Sequence, residues 1–101
     1  MGTFIYSDVA RLDLDDRVLA HVQAVFANKL RRAESFMFTW TDETGADPAR
    51  SSVWIHPAAT MAFSYAETGP YSLSRSWVEA LLHTANSAAG LHLVPETTDP
   101  A

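Results

Sequence analysis

The chain has 101 residues, 48% of them hydrophobic and 19% charged, with seven basic and twelve acidic side chains and a formal charge of −5. That balance supports one domain with a packed core and argues against wholesale disorder. The lack of cysteine excludes disulfides, thiol catalysis, iron–sulfur clusters and cysteine zinc sites, and the negative charge opposes non-specific adhesion to nucleic acid or anionic lipid.

Thr3-Phe4-Ile5-Tyr6 is the first apolar segment. Ala10, Leu12 and Leu14 then alternate with Arg11 and Asp13, the period of a half-buried strand. Ser7-Asp8 between them makes a tight turn, so the chain starts with a hairpin. Val18, Leu19, Val22, Val25, Phe26 and Leu30 recur at spacings of three and four, which predicts an amphipathic helix over about residues 15–32. Asp15 or Asp16 caps its start, and Lys29, Arg31 and Arg32 complement its end.

Ser35–Thr41 predicts a strong strand, with Phe36, Phe38 and Trp40 on one face and Met37 and Thr39 on the other. Residues 42–49, with Gly45 and Pro48, read as a loop. Arg50–His56 predicts a second strand ended by Pro57, and Thr60–Ala66 a third. The simplest arrangement of these three is an antiparallel meander. Glu67-Thr68-Gly69-Pro70 breaks the sheet. Ser74 or Ser76 then caps a second helix, whose stripe is Trp77, Val78, Leu81, Leu82, Ala85 and Ala88. Ser76 with Glu79 matches a capping box, and Gly90 suits the C′ position. Leu91–Val94 is a short last strand.

The order β-β-α-β-β-β-α-β defines an α+β fold: one mostly antiparallel sheet with two helices packed on one face. Residues 1–96 form a single domain and 97–101 a frayed polar tail. The opposite sheet face is left open, with Trp54, Met37 and His56 expected there.

Chemistry-bearing patterns are sparse. His21 and His83 fall on the expected polar faces of the two helices and read as surface histidines. No histidines pair at i, i+4, which leaves only a site assembled from His56 and His92. Asp13, Asp15 and Asp16 are explained by capping and solubility, because no calcium-loop pattern follows. Ser51, Ser52, Ser74 and Ser87 are nucleophile candidates by residue type alone, since no Gly-x-Ser-x-Gly elbow is present. No phosphate-cradling or dinucleotide motif occurs, so no cofactor is expected. Lys29-Leu30-Arg31-Arg32 is the one basic cluster. Together with Arg50, Trp54 and Arg75 it could contact phosphates and stack bases of a single strand, although helix termination is the simpler explanation.

Several segments resemble a family of short actinobacterial proteins of unknown function. They are Met1-Gly2-Thr3-Phe4-Ile5-Tyr6, Asp15-Asp16-Arg17-Val18-Leu19-Ala20-His21, Lys29–Phe36, Ser52-Val53-Trp54-Ile55-His56-Pro57, Arg75–Leu81 and Ala85–Glu96. Members of that family often carry the label ATP-dependent DNA ligase. Such ligases attach AMP to the lysine of a Lys-x-Asp-Gly motif, whereas the sole lysine here, Lys29, is followed by Leu30-Arg31-Arg32.

The leading expectation is therefore a non-catalytic interaction module that forms homo-oligomers, without catalytic residues, metal or cofactor. It would reside in the cytoplasm, away from membranes. The alternatives are a nucleic-acid-associated accessory protein using Lys29, Arg31 and Arg32, and a small metal enzyme built on His56 and His92.

Overall fold

The computed structural model describes residues 1–42 and 49–97. The element order is β1 (Gly2–Tyr6), β2 (Ala10–Leu14), α1 (Asp16–Arg31), β3 (Phe36–Asp42), β4 (Ala49–Ile55), β5 (Met61–Ser64), α2 (Arg75–Ala85) and β6 (Leu91–His92). The α+β class and the order of elements agree with the sequence reading.

The strands do not form one sheet. They divide into two three-stranded sheets, ordered β2-β1-β5 and β4-β3-β6. The expected meander ends after β4: beyond Pro57, β5 crosses over and pairs antiparallel with β1, Phe63 opposite Phe4. β6 pairs parallel with β3, Leu91 opposite Phe38. Tyr6 holds the seam between the sheets. Its hydroxyl donates to Trp54 O at 2.6 Å and accepts from His56 N at 3.1 Å, so both sheets share one interior.

That interior is built on aromatic rings. Phe26 of α1 meets Phe4, Phe36, Phe38 and Phe63 edge-on, with centroids 5.0–5.4 Å apart, the geometry that ring quadrupoles favour. One helix residue thereby ties both sheets together. α1 and α2 lie against each other and run in the same direction. His21 meets Ser74 near their starts, and Lys29 meets Asn86 at their ends.

Local chemistry fixes the helix boundaries. Asp15 is the N-cap of α1, accepting from Arg17 N at 2.9 Å. The C-terminus closes as a Schellman motif: Ala33 N donates to Leu30 O and Glu34 N to Lys29 O, with Ala33 at φ +56. Ser74 caps α2, accepting from Trp77 N; Ser76 lies inside the helix, so the predicted capping box is not formed on it. α2 stops at Ala85 with Asn86 as its C-cap. Gly90 is thus not its C′ residue, although its φ of +84 does require glycine-like freedom.

Candidate functional site

The outer face of the β4-β3-β6 sheet carries the side chains that alternate away from the core. Val53 and Ile55 are buried, so Arg50, Ser52 and Trp54 point outward. Trp54 is 55% exposed and stands opposite Met37; Ser52 stands opposite Thr39 and Arg50 opposite Thr41. The Ser52 and Thr39 hydroxyls bond at 2.8 Å. A hollow of about 740 Å³ opens beside them, bordered by Met37, Thr39, Arg50, Ser52, His92 and Leu93. Trp54 and Met37 thus lie on one open face, as the alternation predicts, and His56 is exposed just beyond it.

Of the predicted basic patch, Lys29 lies in the interior, 6% exposed; its Nζ donates to Asn86 Oδ1 at 2.6 Å and lies 3.6 Å from Glu34 Oε1. It ties the two helix ends together. The helical spacing contained this signal, since Lys29 follows Val22 by seven and Val25 by four and so falls within the apolar stripe. Arg31 and Arg32 are exposed. Arg75 opens α2, eleven residues before Asn86, about 16 Å away along the helix axis. Arg50 and Trp54 do share a face, four residues apart on β4.

His21 is likewise fully buried, not a surface histidine. Its Nδ1 donates to Arg17 O at 2.7 Å, its Nε2 accepts from Ser74 N at 2.9 Å, and the ring lies 4.3 Å from that of Trp77. The backbone partners select the neutral tautomer protonated at Nδ1. His56 and His92 do not converge. His92 aligns with Thr39, and Thr39 with Ser52. His56 therefore lies two strand spacings, about 10 Å, across and about 13 Å along. Among the described residues no three His, Asp or Glu side chains come together to hold a metal ion.

A second polar cluster sits where the chain between β5 and α2 meets α1. Asp16 accepts from Tyr71 Oη at 2.7 Å, Glu67 N at 3.1 Å and Ala66 N at 3.3 Å. The Tyr71 bond, with the two backbone donors, holds the Asp16 carboxyl below its ordinary range. The same bond pushes the Tyr71 phenol up to about 12. Arg17 clasps Glu96 through Nε and Nη2, the shortest contact 2.6 Å, and donates from Nη1 to Ser72 O at 2.7 Å. This pair lowers the Glu96 carboxyl and raises the Arg17 guanidinium. Thr97 O accepts from Ser74 Oγ at 2.6 Å, so the chain is tied down through Thr97; residues 98–101 of the expected tail lie outside the described residues.

These groups are engaged in structure. The Asp16 oxygens are taken by donors, so the carboxylate is no ready base. The Ser74 hydroxyl proton goes to Thr97 O and that of Ser87 to Thr84 O, neither directed at a histidine. A hollow of about 530 Å³ lined by Gln23, Tyr65, Glu67, Tyr71 and Leu73 adjoins the cluster, with the two tyrosine rings stacked at 5.5 Å.

No helix among the described residues is long and apolar enough to cross a membrane. No curated protein and no solved structure matches the chain. A family model described as "Domain of unknown function (DUF7882)" matches residues 1–96, which takes in both sheets, both helices and the Arg17–Glu96 clasp; the chain belongs to the DUF7882 family.

Proposed function

We propose that the chain is a non-catalytic interaction module that associates with a second copy of itself through the β4-β3-β6 sheet. The observation that carries this is Trp54, 55% exposed beside Met37 on a sheet face that no helix among the described residues covers. Burial of a large aromatic ring is a strong source of association energy. The polar groups elsewhere support the same reading, because Asp16, Arg17, Lys29 and Ser74 all spend their bonding capacity holding segments together. Light scattering over a concentration series tests it. The expected result is a mass that rises from one chain to two; a strict monomer at the highest concentration overturns it.

A second reading, a nucleic-acid-associated accessory role, draws on Arg50 and Trp54 sharing one face, with Arg31 and Arg32 exposed at the end of α1. Lys29 is withdrawn from such a surface by its burial, and the charge of −5 opposes it. Fluorescence anisotropy with labelled single strands decides: a shift that weakens with salt and disappears in Arg50→Ala/Trp54→Ala supports it, and no shift at low salt removes it.

A further inference from the structure

We infer that two copies of the chain join edge to edge through β4, antiparallel about a two-fold axis at Ser52, so that Arg50 of each copy lies over Trp54 of the other. This inference rests on the self-association proposed above and gives it a geometry.

Among the described residues β4 is an edge strand, with β3 on one side only. In an antiparallel strand the N–H and C=O of one residue point to the same side, and the side alternates along the chain. Trp54 O and His56 N both bond the Tyr6 hydroxyl, so even-numbered residues of β4 face away from β3. Arg50 and Ser52 therefore present both backbone groups at the free edge and Trp54 its N–H, its carbonyl being taken by Tyr6. The first four residues of β4, Ala49–Ser52, are exposed. This end of the strand projects from the body and is open to an added strand, the usual hazard and use of an unpaired edge.

Tyr6 sets the register. Its hydroxyl is bonded to Trp54 O itself, so an added strand can run alongside β4 only as far as Trp54 N. A symmetric pairing that spans Arg50 to Trp54 has its axis at Ser52. Ser52 then exchanges two N–H···O=C bonds with its own copy, and Arg50 pairs with Trp54 on both sides of the axis. All these side chains project from the same outer face. Guanidinium over indole is the favoured cation–π pair, and the two-fold makes the contact twice from one sequence. Ser52 between them is small, so the two strands can approach. The result is a continuous six-stranded sheet, and the exposure of Trp54 is accounted for by the arginine of the second copy. Strand pairing alone buries less than the ~1,200 Å² of a standard interface, so the association is weak and calls for measurement at high concentration.

The chain has no cysteine, so a single introduced thiol reports one contact. At the axis, the two Ser52 Cα atoms would be about 5.5 Å apart, within disulfide reach. Under mild oxidation Ser52→Cys is expected to form a covalent dimer, whereas Arg11→Cys, on the edge strand β2 of the other sheet, stays monomeric. Arg50→Glu is expected to weaken dimerisation about tenfold, from the loss of two cation–π contacts. Ser52→Pro removes an outward N–H without touching a β3 bond and is expected to abolish the dimer; circular dichroism reports whether it folds, and Arg50→Glu decides should it not. A wild-type chain that light scattering finds monomeric overturns both the self-association and this edge. A wild-type dimer in which Ser52→Cys fails to cross-link, or Arg11→Cys cross-links instead, overturns the β4 edge alone.

Discussion

Gly90→Ala tests whether the approach of β6 to β3 limits the stability of the domain. Gly90 has a φ of +84, and a Cβ there would lie 2.6 Å from Met37 O and 2.7 Å from Met37 Cβ. Left-handed backbone costs a residue with a Cβ about 1–2 kcal/mol. The overlap is with main chain, which cannot swing aside like a side-chain tip, so β6 must retreat; overpacking of this kind costs about 1–3 kcal/mol. The stiffer unfolded chain of alanine returns roughly 0.4–1 kcal/mol. The net loss is about 1–4.5 kcal/mol, out of the ~5–15 kcal/mol that a domain of this size holds. At about 4–8 °C per kcal/mol, the midpoint should fall by about 4–35 °C. Urea unfolding followed by tryptophan fluorescence and circular dichroism measures it. A change under about 0.5 kcal/mol would refute the reasoning, because it would mean that neither the conformation nor the contact constrains this position.

Ala33→Gly should stabilise by about 0.5 kcal/mol in the same assay, since Ala33 holds φ +56 at the C′ position where glycine carries no Cβ penalty. Phe26→Ala should cost about 3–5 kcal/mol and leave little folded protein, because one ring contacts both sheets. Lys29→Ala should destabilise by about 2–3 kcal/mol through its lost buried bond and stem packing, whereas Arg31→Ala should change stability by less than about 0.5 kcal/mol; equal effects would show that Lys29 does not tie the helices. The Asp16–Tyr71 pair should leave two marks on stability against pH. The depressed Asp16 contributes stability that is present above 3.8 and lost as pH falls through its folded value. The raised Tyr71 contributes stability present below 10.0 and lost as pH climbs toward about 12. Tyr71→Phe should reduce the alkaline loss, leaving the part due to the raised Tyr65, and reduce the acid one; an unchanged alkaline limb would contradict the assignment.

Much of the local structure was legible in the chain. Spacing of three and four set α1, alternation set β2 to β4, and Asp15 or Asp16, Ser74 or Ser76, and Pro57 marked boundaries, because each of these rests on contacts within a few residues. The open face was legible too: alternation alone puts Arg50, Ser52 and Trp54 on the side opposite Val53 and Ile55. Two buried polar side chains were also within reach. Lys29 and His21 both fall inside the apolar arc of α1, at four and three residues from Val25 and Val18, but residue type argued for the surface and prevailed in the reading.

Only the tertiary structure decided which strands pair. Alternation tells a strand which face to bury and says nothing about its neighbour, so β5 read as a continuation of the meander and instead joined β1. The same is true of bonds made across long separations. Tyr6 with Trp54, Asp16 with Tyr71, Arg17 with Glu96 and Lys29 with Asn86 join residues 48 or more positions apart, and no local pattern encodes such a meeting. Sequence supplied the elements and their polarity; the closing of one aromatic interior around Phe26 chose the partners, and with them left one edge of β4 unpaired.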